Sequence, residues 1–377
     1  MMQYPTNSSE RGGLAGPARG GHRLWERMVR GRKTGGLPFA LLFITQKLHT
    51  QDAFGILWAN AFAARGYDVH VICLEDRTAA GQGALGDITP RFTVHSLGKE
   101  HGTGRIRQVL RFWSLIITLR YDRVFIHMSP VWYALGWWWW LLRGIPVYLW
   151  YTHYKMQPGV RLFGWFGRRF FCATAQSLPQ YRTSPKKIIT GHGIDLAFWP
   201  KRPNVSSNPN SLLVVHRLSR SKRLELILYA LTLLPGFTVD IYGIDAEADY
   251  AAAMRSLAGN LGVDGRAVFH GTIPMKKLPA IYTRHRLILN MASETIDKTM
   301  LEAMTCGCYP VTTKANAQAI GLPAAPADDT PEAIAAFVES ASASPPLPAD
   351  ALYAIVVERH SLGRLLDQMD RYIRSGT

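Results

Sequence analysis

Apolar, strand-like runs alternate with helical stretches along most of this chain. From Leu37 the run LPFALLFITQ is followed by FGILWANAFAARG, which has helical character, and then by the β-rich run YDVHVICLE. The same rhythm continues through DRVFIHM, a Trp-rich helix from Val131, PVYLWYTH, RRFFCATA and KKIITGHG. Strands that alternate with helices predict a parallel sheet covered on both faces. We therefore expect a doubly wound α/β domain at residues 36–200.

A second run of the same kind follows the polar, turn-rich segment RPNVSSNPNS. Its predicted strands are SLLVVHRL, FTVDIYG, AVFHG, RLILNMA and CYPVTT, and its predicted helices span 224–234, 250–261 and 298–306. A chain of 377 residues is long enough for two domains. We predict an interdomain linker at 201–211, a second α/β domain at 212–355, and a C-terminal helix at 356–377 that can return to the first domain.

The charge balance predicts an anionic partner. The chain has 43 Lys and Arg against 27 Asp and Glu, a net charge of +16. Nucleic acid, acidic lipid and phosphorylated metabolites all satisfy this requirement, and charge alone does not choose among them. Residues 1–35 combine several Arg with repeated Gly and predict a disordered basic arm.

The sequence also argues against a membrane-spanning, exported or zinc-binding protein. The longest apolar stretch, from Val131 to Leu142, is shorter than the roughly 20 residues that span a bilayer. The first thirty-five residues lack the apolar core of a signal peptide. The four cysteines do not have the spacing of a zinc site. We expect a cytoplasmic protein with reduced thiols.

Charged residues follow predicted strands of the second domain at places that suit a nucleotide diphosphate. Arg217 and Lys222 bracket a strand-to-helix turn, and two cations at a helix N-terminus favour bound negative charge. Glu294 and Glu302 lie eight positions apart, where carboxylates can accept hydrogen bonds from sugar and ribose hydroxyls. A solvated basic turn and a helix with ordinary surface acids are the alternatives. The cleft between two such domains is the expected ligand site.

These segments, in this order, resemble the retaining GT-B glycosyltransferases, in particular glycosyltransferase family 4 (glycosyl transferases group 1). The run SETIDKTMLEAMTCGCYPV resembles the E-x7-E signature, and VVHRLSRSKRLELILYAL resembles the Arg and Lys donor-phosphate motif. GHGIDLAFWP at 191–200 is similar to the interdomain crossing strand, and WYTH at 150–153 to the motif of the N-domain catalytic His. The resemblance covers about residues 37–375 and implies a GT-B fold, an acceptor-binding first domain and a donor-binding second domain.

The resemblance implies a role for each matching residue. Arg217 and Lys222 would neutralise the leaving diphosphate, Glu294 would hold the transferred sugar, and Glu302 would hold the ribose. The start of the following helix would complete the donor site with Asp297, Lys298 and Thr299.

Three further residues are candidates in the first domain and at the crossing. His153 in WYTH would face the donor sugar and orient reacting groups. His127 in FIHMSP and His192 in GHGID are further candidates for acceptor or donor contacts, whereas Asp195 would be structural.

The chain departs from the family pattern at three places. Lys47 and Asp52 lie in TQKLHTQDAFG, where the family often has a Gly-Gly loop, and they would face acceptor or donor. Asp297 follows Ile296 where an aromatic-Gly pair is usual, and an acid beside a diphosphate is favourable only if it meets sugar hydroxyls or pairs with Lys298. His216 stands where Gly commonly precedes the Arg.

The implied chemistry is transfer with retention of the anomeric configuration. No Asp-x-Asp motif ends a strand, so we predict a metal-independent enzyme with no cofactor, in which cations and a helix dipole stabilise the leaving group. The donor would be a UDP- or GDP-sugar. No carboxylate is placed for a covalent intermediate, which favours front-face attack with the leaving phosphate taking the acceptor proton.

Arginines and aromatic residues mix on the helices of the first domain, which fits docking on anionic lipid, although four consecutive tryptophans also suit a core. The arginines are Arg105, Arg107, Arg111, Arg120, Arg143, Arg161, Arg168 and Arg169. We therefore expect a peripheral protein on the inner face of the cytoplasmic membrane, with a saccharide or lipid-linked saccharide acceptor, in surface polysaccharide or glycolipid biosynthesis. A GT-B sugar-nucleotide epimerase or hydrolase is one alternative. A basic nucleic-acid-binding protein is another, disfavoured because no nucleic-acid motif is present.

Overall fold

Two parallel sheets organise the computed structural model of the chain, which describes residues 39–48, 54–78, 91–203, 205, 208–293 and 296–377. Three parts of the sequence interpretation lie outside these residues: the basic arm, Asp52 and Glu294. The expected pair of doubly wound α/β domains is confirmed by the two sheets described next.

The first sheet has seven parallel strands in the order β3-β2-β1-β4-β5-β6-β7. Its strands are β1 Ala40–Leu48, β2 Asp68–Asp76, β3 Thr93–Ser96, β4 Arg123–His127, β5 Val147–Trp150, β6 Arg169–Cys172 and β7 Lys187–Ile189. The connecting helices are α1 Phe54–Ala64, α2 Arg105–Thr118, α3 Pro130–Leu142 and α4 Pro158–Phe166. The strand order reverses between β1 and β4.

Alternate side chains of β1 pack into two different cores, because successive side chains of a strand point to opposite faces of the sheet. Leu41 and Phe43 join one cluster, and Leu42 and Ile44 join the other. Both faces of the sheet are therefore covered, which explains why β1 is a nearly continuous apolar run instead of an alternating one.

The second sheet has five parallel strands in the order β10-β9-β8-β11-β12. Its strands are β8 Ser211–Val215, β9 Thr238–Tyr242, β10 Ala267–Gly271, β11 Leu287–Asn290 and β12 Tyr309–Thr312. Its helices are α5 Leu224–Thr232, α6 Ala248–Asn260, α7 Leu278–Tyr282, α8 Lys298–Thr305, α9 Lys314–Ile320, α10 Pro331–Ala343 and α11 Ala349–Ile355. Here the strand order reverses between β8 and β11.

The last helix, α12 (Leu362–Ser375), packs on the first domain. Its buried residues Leu365 and Met369 belong to the same core cluster as Trp58 and Tyr148. The chain therefore crosses between the domains twice, and the two crossings touch: the amide of Ile194 donates to the carbonyl of His360 at 2.7 Å.

Glycine is required where the two crossings approach each other. Gly191 has a φ of +81°, and a β-carbon there would lie 2.0 Å from the carbonyl oxygen of Arg359. A side chain at this position would push the crossings apart, which gives the first Gly of GHGID a structural reason.

The four consecutive tryptophans lie in different surroundings. Trp140 is fully buried, and its indole donates to the hydroxyl of Tyr121 at 3.0 Å, whereas Trp138 is partly exposed. Within the described ranges, no helix combines the length and the apolar character that crossing a bilayer requires.

Candidate functional site

The donor-site candidates gather where the second sheet reverses its strand order. Arg217 and Lys222 follow β8, and Asp297 precedes α8 in the connection that follows β11. The carboxyl ends of neighbouring parallel strands at such a reversal point form the usual ligand crevice of an open α/β sheet. The equivalent reversal in the first sheet lies between β1 and β4, where Lys47 and His127 occur.

Lys222 and Asp297 form a buried ion pair. The ammonium of Lys222 lies 2.6 Å from one carboxylate oxygen of Asp297, and only 3% of Lys222 is exposed. The side-chain amide of Asn290 donates to the other carboxylate oxygen, also at 2.6 Å. The sequence left two settings open for this acid, sugar hydroxyls or Lys298, and the structure shows a further one, because Asp297 turns toward the β8 side of the crevice and pairs with Lys222.

Lys298 instead bridges the two parts of the chain. Its ammonium donates to the carbonyl of Gly193 in the crossing segment at 3.2 Å. Its neighbour Thr299 donates its hydroxyl to the carbonyl of Val215, the last residue of β8, at 2.8 Å. These two contacts fix the start of α8 against both the crossing and the carboxyl end of β8.

Arg217 is exposed at the edge of the crevice, and its guanidinium has no hydrogen bond or ion pair with another described residue. His153 lies beyond the end of β5 in the first domain. Partial desolvation and the nearby charge of Arg217 lower the pKa of His153, so the two side chains are within electrostatic reach across the domains. A free guanidinium in this position suits a phosphate ligand.

Glu302 is buried on α8, with 8% of the residue exposed. The hydroxyl of Tyr282 lies 3.4 Å from one of its carboxylate oxygens. Burial raises the pKa of Glu302 to about 7, although the charge of Lys298 opposes this effect. A carboxyl group in this setting can still accept a hydrogen bond from a hydroxyl ligand.

His216 is buried at the end of β8, where the family pattern has a small residue. Its Nδ1 lies 3.0 Å from the carbonyl of Arg217, so Nδ1 carries the proton and donates. Burial lowers its pKa to about 4, which leaves the ring neutral. Its Nε2 is then an acceptor that has no partner in the described part of the chain.

The remaining candidates of the first domain are held by other contacts. The imidazole of His127 stacks on Trp150 with 5.1 Å between ring centroids, and burial lowers its pKa to about 3. His192 packs 5.9 Å from the ring of His360, and burial lowers its pKa well below the usual value. Both rings are therefore neutral near pH 7.

Lys47 lies 3.8 Å from the buried carboxylate of Glu75, which also pairs with Arg77 and Lys99. Despite burial, the hydrogen bond and charge of Arg77 and the charges of both lysines hold the pKa of Glu75 below its usual value. The carboxylate of Asp195 accepts a hydrogen bond of 3.0 Å from the backbone amide of Ala197, which is a local turn contact.

Sequence reasoning missed Asn290 and Tyr282. Asn290 is the last residue of β11, and a polar residue at the carboxyl end of a buried parallel strand is the signal that could have identified it. Tyr282 belongs to the short helix α7, and no sequence pattern connects it to Glu302. No group of three or more His, Cys, Asp or Glu with the geometry of a metal site occurs in the ranges that the structure describes.

Two protein-family models match the chain, one in each domain. The model described as Glycosyltransferase Family 4 matches residues 56–178, and the model described as Glycosyl transferases group 1 matches residues 197–319. The second match includes every donor-site candidate from Arg217 to Glu302. No curated protein matches the chain by sequence.

Solved structures with the same fold include three that cover most of this chain. HepE from Anabaena, in complex with UDP and glucose, has a TM-score of 0.70 at 16% identity and covers 89% of this chain and 100% of its own. Sucrose-phosphate synthase from Thermosynechococcus elongatus has a TM-score of 0.73 at 15% identity, with 89% and 98% covered. A glycosyltransferase from Rickettsia africae has a TM-score of 0.68 at 13% identity, with 90% and 98% covered. The GT-B fold expected from the sequence is confirmed.

Proposed function

The chain belongs to the family 4-like, group 1 glycosyltransferases, and from this premise we propose that it is a retaining enzyme that moves a sugar from a UDP- or GDP-sugar to a saccharide or lipid-linked saccharide. One observation carries the proposal. A buried ammonium, an exposed guanidinium and the start of helix α8 lie at the reversal point of the second sheet. That arrangement suits a nucleotide diphosphate.

The donor would lie with its diphosphate between Arg217, Lys222 and the first turn of α8. Glu302, buried farther along α8, would accept hydrogen bonds from the ribose, and Glu294 would hold the transferred sugar. HepE of Anabaena, which shares the fold, has been solved in complex with UDP-glucose, which supports a nucleotide sugar as donor.

Charge stabilisation would drive departure of the diphosphate. Lys222 and the start of α8 are held in place before reaction, so they would stabilise the developing negative charge without reorganising, and the exposed guanidinium of Arg217 would add to this stabilisation. We propose front-face attack, in which the acceptor hydroxyl gives its proton to the departing phosphate oxygen. His153, on the facing domain, would orient the reacting groups. Closure of the domains would exclude water and limit hydrolysis of the donor.

The acceptor would arrive from an anionic membrane surface. Between residues 101 and 194 a single acid, Asp122, stands against thirteen Lys and Arg. Helices α2, α3 and α4 cover one face of the first sheet, and their outward sides expose Ile106 (78%), Leu142 (76%) and Trp165 (63%). Apolar side chains among exposed arginines, here Arg107, Arg143 and Arg161, suit a lipid interface. We call this the basic-apolar face.

The basic-apolar face is continuous across the three helices. The indole of Trp113 on α2 donates to the carbonyl of Leu135 on α3 at 3.0 Å. The ring of Trp137 on α3 stacks on Phe166 of α4 with 5.1 Å between centroids. We propose on this basis that the enzyme works at the inner face of the cytoplasmic membrane in surface polysaccharide or glycolipid biosynthesis.

A binding screen followed by product analysis tests the proposed function. Purified protein is heated with a panel of UDP- and GDP-sugars, and the donor should raise the unfolding temperature because it binds the folded state. Labelled donor is then incubated with saccharide acceptors, with and without EDTA. A labelled, retained-anomer product formed equally in EDTA is expected. Release of free sugar or an epimerised donor alone would indicate the hydrolase or epimerase alternative. Binding of nucleic acid without any nucleotide sugar would contradict the enzyme assignment.

A further inference from the structure

The carboxylate of Asp297 is held on both oxygens by different parts of the donor domain. One oxygen accepts a hydrogen bond from the ammonium of Lys222, which follows β8. The other accepts a hydrogen bond from the side-chain amide of Asn290, at the end of β11. Asn290 is itself oriented, because its side-chain oxygen accepts the amide of Ala292 at 3.1 Å. Asn290, Asp297 and Lys222 therefore form a chain of hydrogen bonds that crosses the reversal point of the sheet.

Asp297 occupies the N-cap position of α8 but does not cap the helix with its side chain. An Asp at this position usually accepts a hydrogen bond from an amide of the first turn. Here the carboxylate is turned toward Lys222 and Asn290 instead. The first turn of α8 thus keeps its anion-binding character, and the carboxylate serves another purpose.

That purpose follows from the burial of Lys222. A buried ammonium without a counter-charge is costly, and in the described residues its one hydrogen-bond partner is Asp297. An ammonium has three N–H donors, so two have no acceptor among the described residues and can donate to oxygen atoms of a ligand. Asp297 therefore supplies the counter-charge while the site is empty and fixes the direction in which the free donors point.

We propose that Asp297 is a positioning residue that presets Lys222 for the diphosphate of the donor. The proposal rests on the proposed function and deepens it at the same site. It assigns a purpose to the acid that replaces the small residue of the family pattern: the carboxylate holds the ammonium in place and stays paired with it when the phosphate oxygens bind.

A pH dependence follows from the groups around the pair. Asp297 faces Lys222 directly, and the neutral ring of His216 lies within electrostatic reach of both. The charges of two neighbours also affect the pKa of the buried Glu302: Lys298 lowers it and Asp297 raises it, behind the larger effect of burial. Without the Asp297 carboxylate, the buried ammonium would lose its counter-charge, which is unfavourable for a buried cation. An Asp297→Asn variant should therefore lose diphosphate affinity progressively as the pH rises, whereas the parent protein retains it.

The test measures binding of UDP and GDP by calorimetry between pH 6.5 and 9. We expect Asp297→Asn to bind the better nucleotide about tenfold more weakly than the parent near pH 7, with a gap that widens toward pH 9. Asp329→Asn is the control, because it breaks an ion pair of comparable length, 2.8 Å, but greater exposure, with the adjacent Arg223. A merely structural loss would weaken binding equally at every pH, and would overturn the proposal, as would unchanged or tighter binding.

A second variant keeps the test decisive if Asp297→Asn does not fold. Asn290→Ala leaves the ion pair intact but releases one carboxylate oxygen, so we expect several-fold weaker binding with the pH dependence of the parent. Unchanged affinity in this variant would contradict the hydrogen-bond chain. If neither nucleotide binds the parent protein, the proposed function fails with it, whereas binding that is insensitive to both substitutions rejects only the role of Asp297.

Discussion

The ammonium of Lys298 donates a hydrogen bond of 3.2 Å to the carbonyl oxygen of Gly193, and this contact ties the first residue of α8 to the segment that crosses between the domains. The charge of Lys298 also contributes to the lowered pKa values of His127 and His192, behind the larger effect of burial. One side chain of the second domain is thus within electrostatic reach of both the crossing and the first domain.

Replacing Lys298 should weaken use of the donor. Lys298→Met keeps the length of the side chain but removes the charged hydrogen bond that fixes the start of α8, and such bonds contribute about 1.5–3 kcal/mol. We expect the donor KM to rise about tenfold. Lys314→Met, at the first position of α9, is the matched control because Lys314 is exposed. Equal donor KM values in the two variants would show that the contact with Gly193 has no part in binding.

Arg217 gives a cleaner test of diphosphate stabilisation than Lys222, because its removal leaves no buried partner. Arg217→Ala should lower turnover about a hundredfold, since loss of one preorganised donor to a developing anion costs about 3 kcal/mol. Lys222→Ala should lower it by at least as much. Arg220→Ala serves as the control: Arg220 is exposed and pairs with Glu247 and Asp249. Near-normal turnover in both test variants would show that this turn does not bind the diphosphate.

Local interactions of this structure could be predicted from the sequence, whereas contacts between distant segments could not. The β8 run SLLVVHRL and the following helix carry their own apolar patterns, so the turn that holds Arg217 and Lys222 could be placed without a structure. The pairing of Asp297 with Lys222 could not be predicted, because Lys222 is 75 positions away and only the packing of β8 beside β11 brings the two together. Short elements such as β3 and α7 were also missed, since four or five residues carry too little periodicity to identify them.

The membrane proposal predicts sedimentation of the protein with anionic liposomes and release as salt rises, because salt screens the attraction of the arginines. Glutamate substitutions at exposed positions of the basic-apolar face, Ile106→Glu and Leu142→Glu, should lower binding strongly without affecting folding. Ile244→Glu, at an exposed apolar position of the second domain, should bind like the parent. Equal partitioning onto neutral and anionic vesicles, or no binding at all, would contradict the proposed face.

Glu302 should make the free protein less stable as the pH rises. Its pKa is raised by burial to about 7 in the folded state, whereas an unfolded chain has the ordinary lower value, so the folded state holds the proton more tightly. The resulting stabilisation is fully present below pH 4 and is lost as the pH rises through 7. Glu302→Gln should therefore gain on the order of 1–3 kcal/mol over the parent at pH 8 relative to pH 4 in urea unfolding. Glu332→Gln, exposed on α10, should show no such difference.

The two glutamates of the E-x7-E segment should affect different kinetic constants. Glu294 would meet the transferred sugar, whose charge and ring shape change during reaction, so Glu294→Gln should lower kcat more than donor affinity. Glu302 would hold the ribose, which does not change, and Glu302→Gln keeps the shape while weakening hydrogen bonds to the ligand. Its donor KM should rise with a smaller effect on kcat. Steady-state kinetics and donor titration on both variants decide the point. Unaffected donor binding in Glu302→Gln, with the fold intact by circular dichroism, would mean that this segment does not hold a nucleotide sugar.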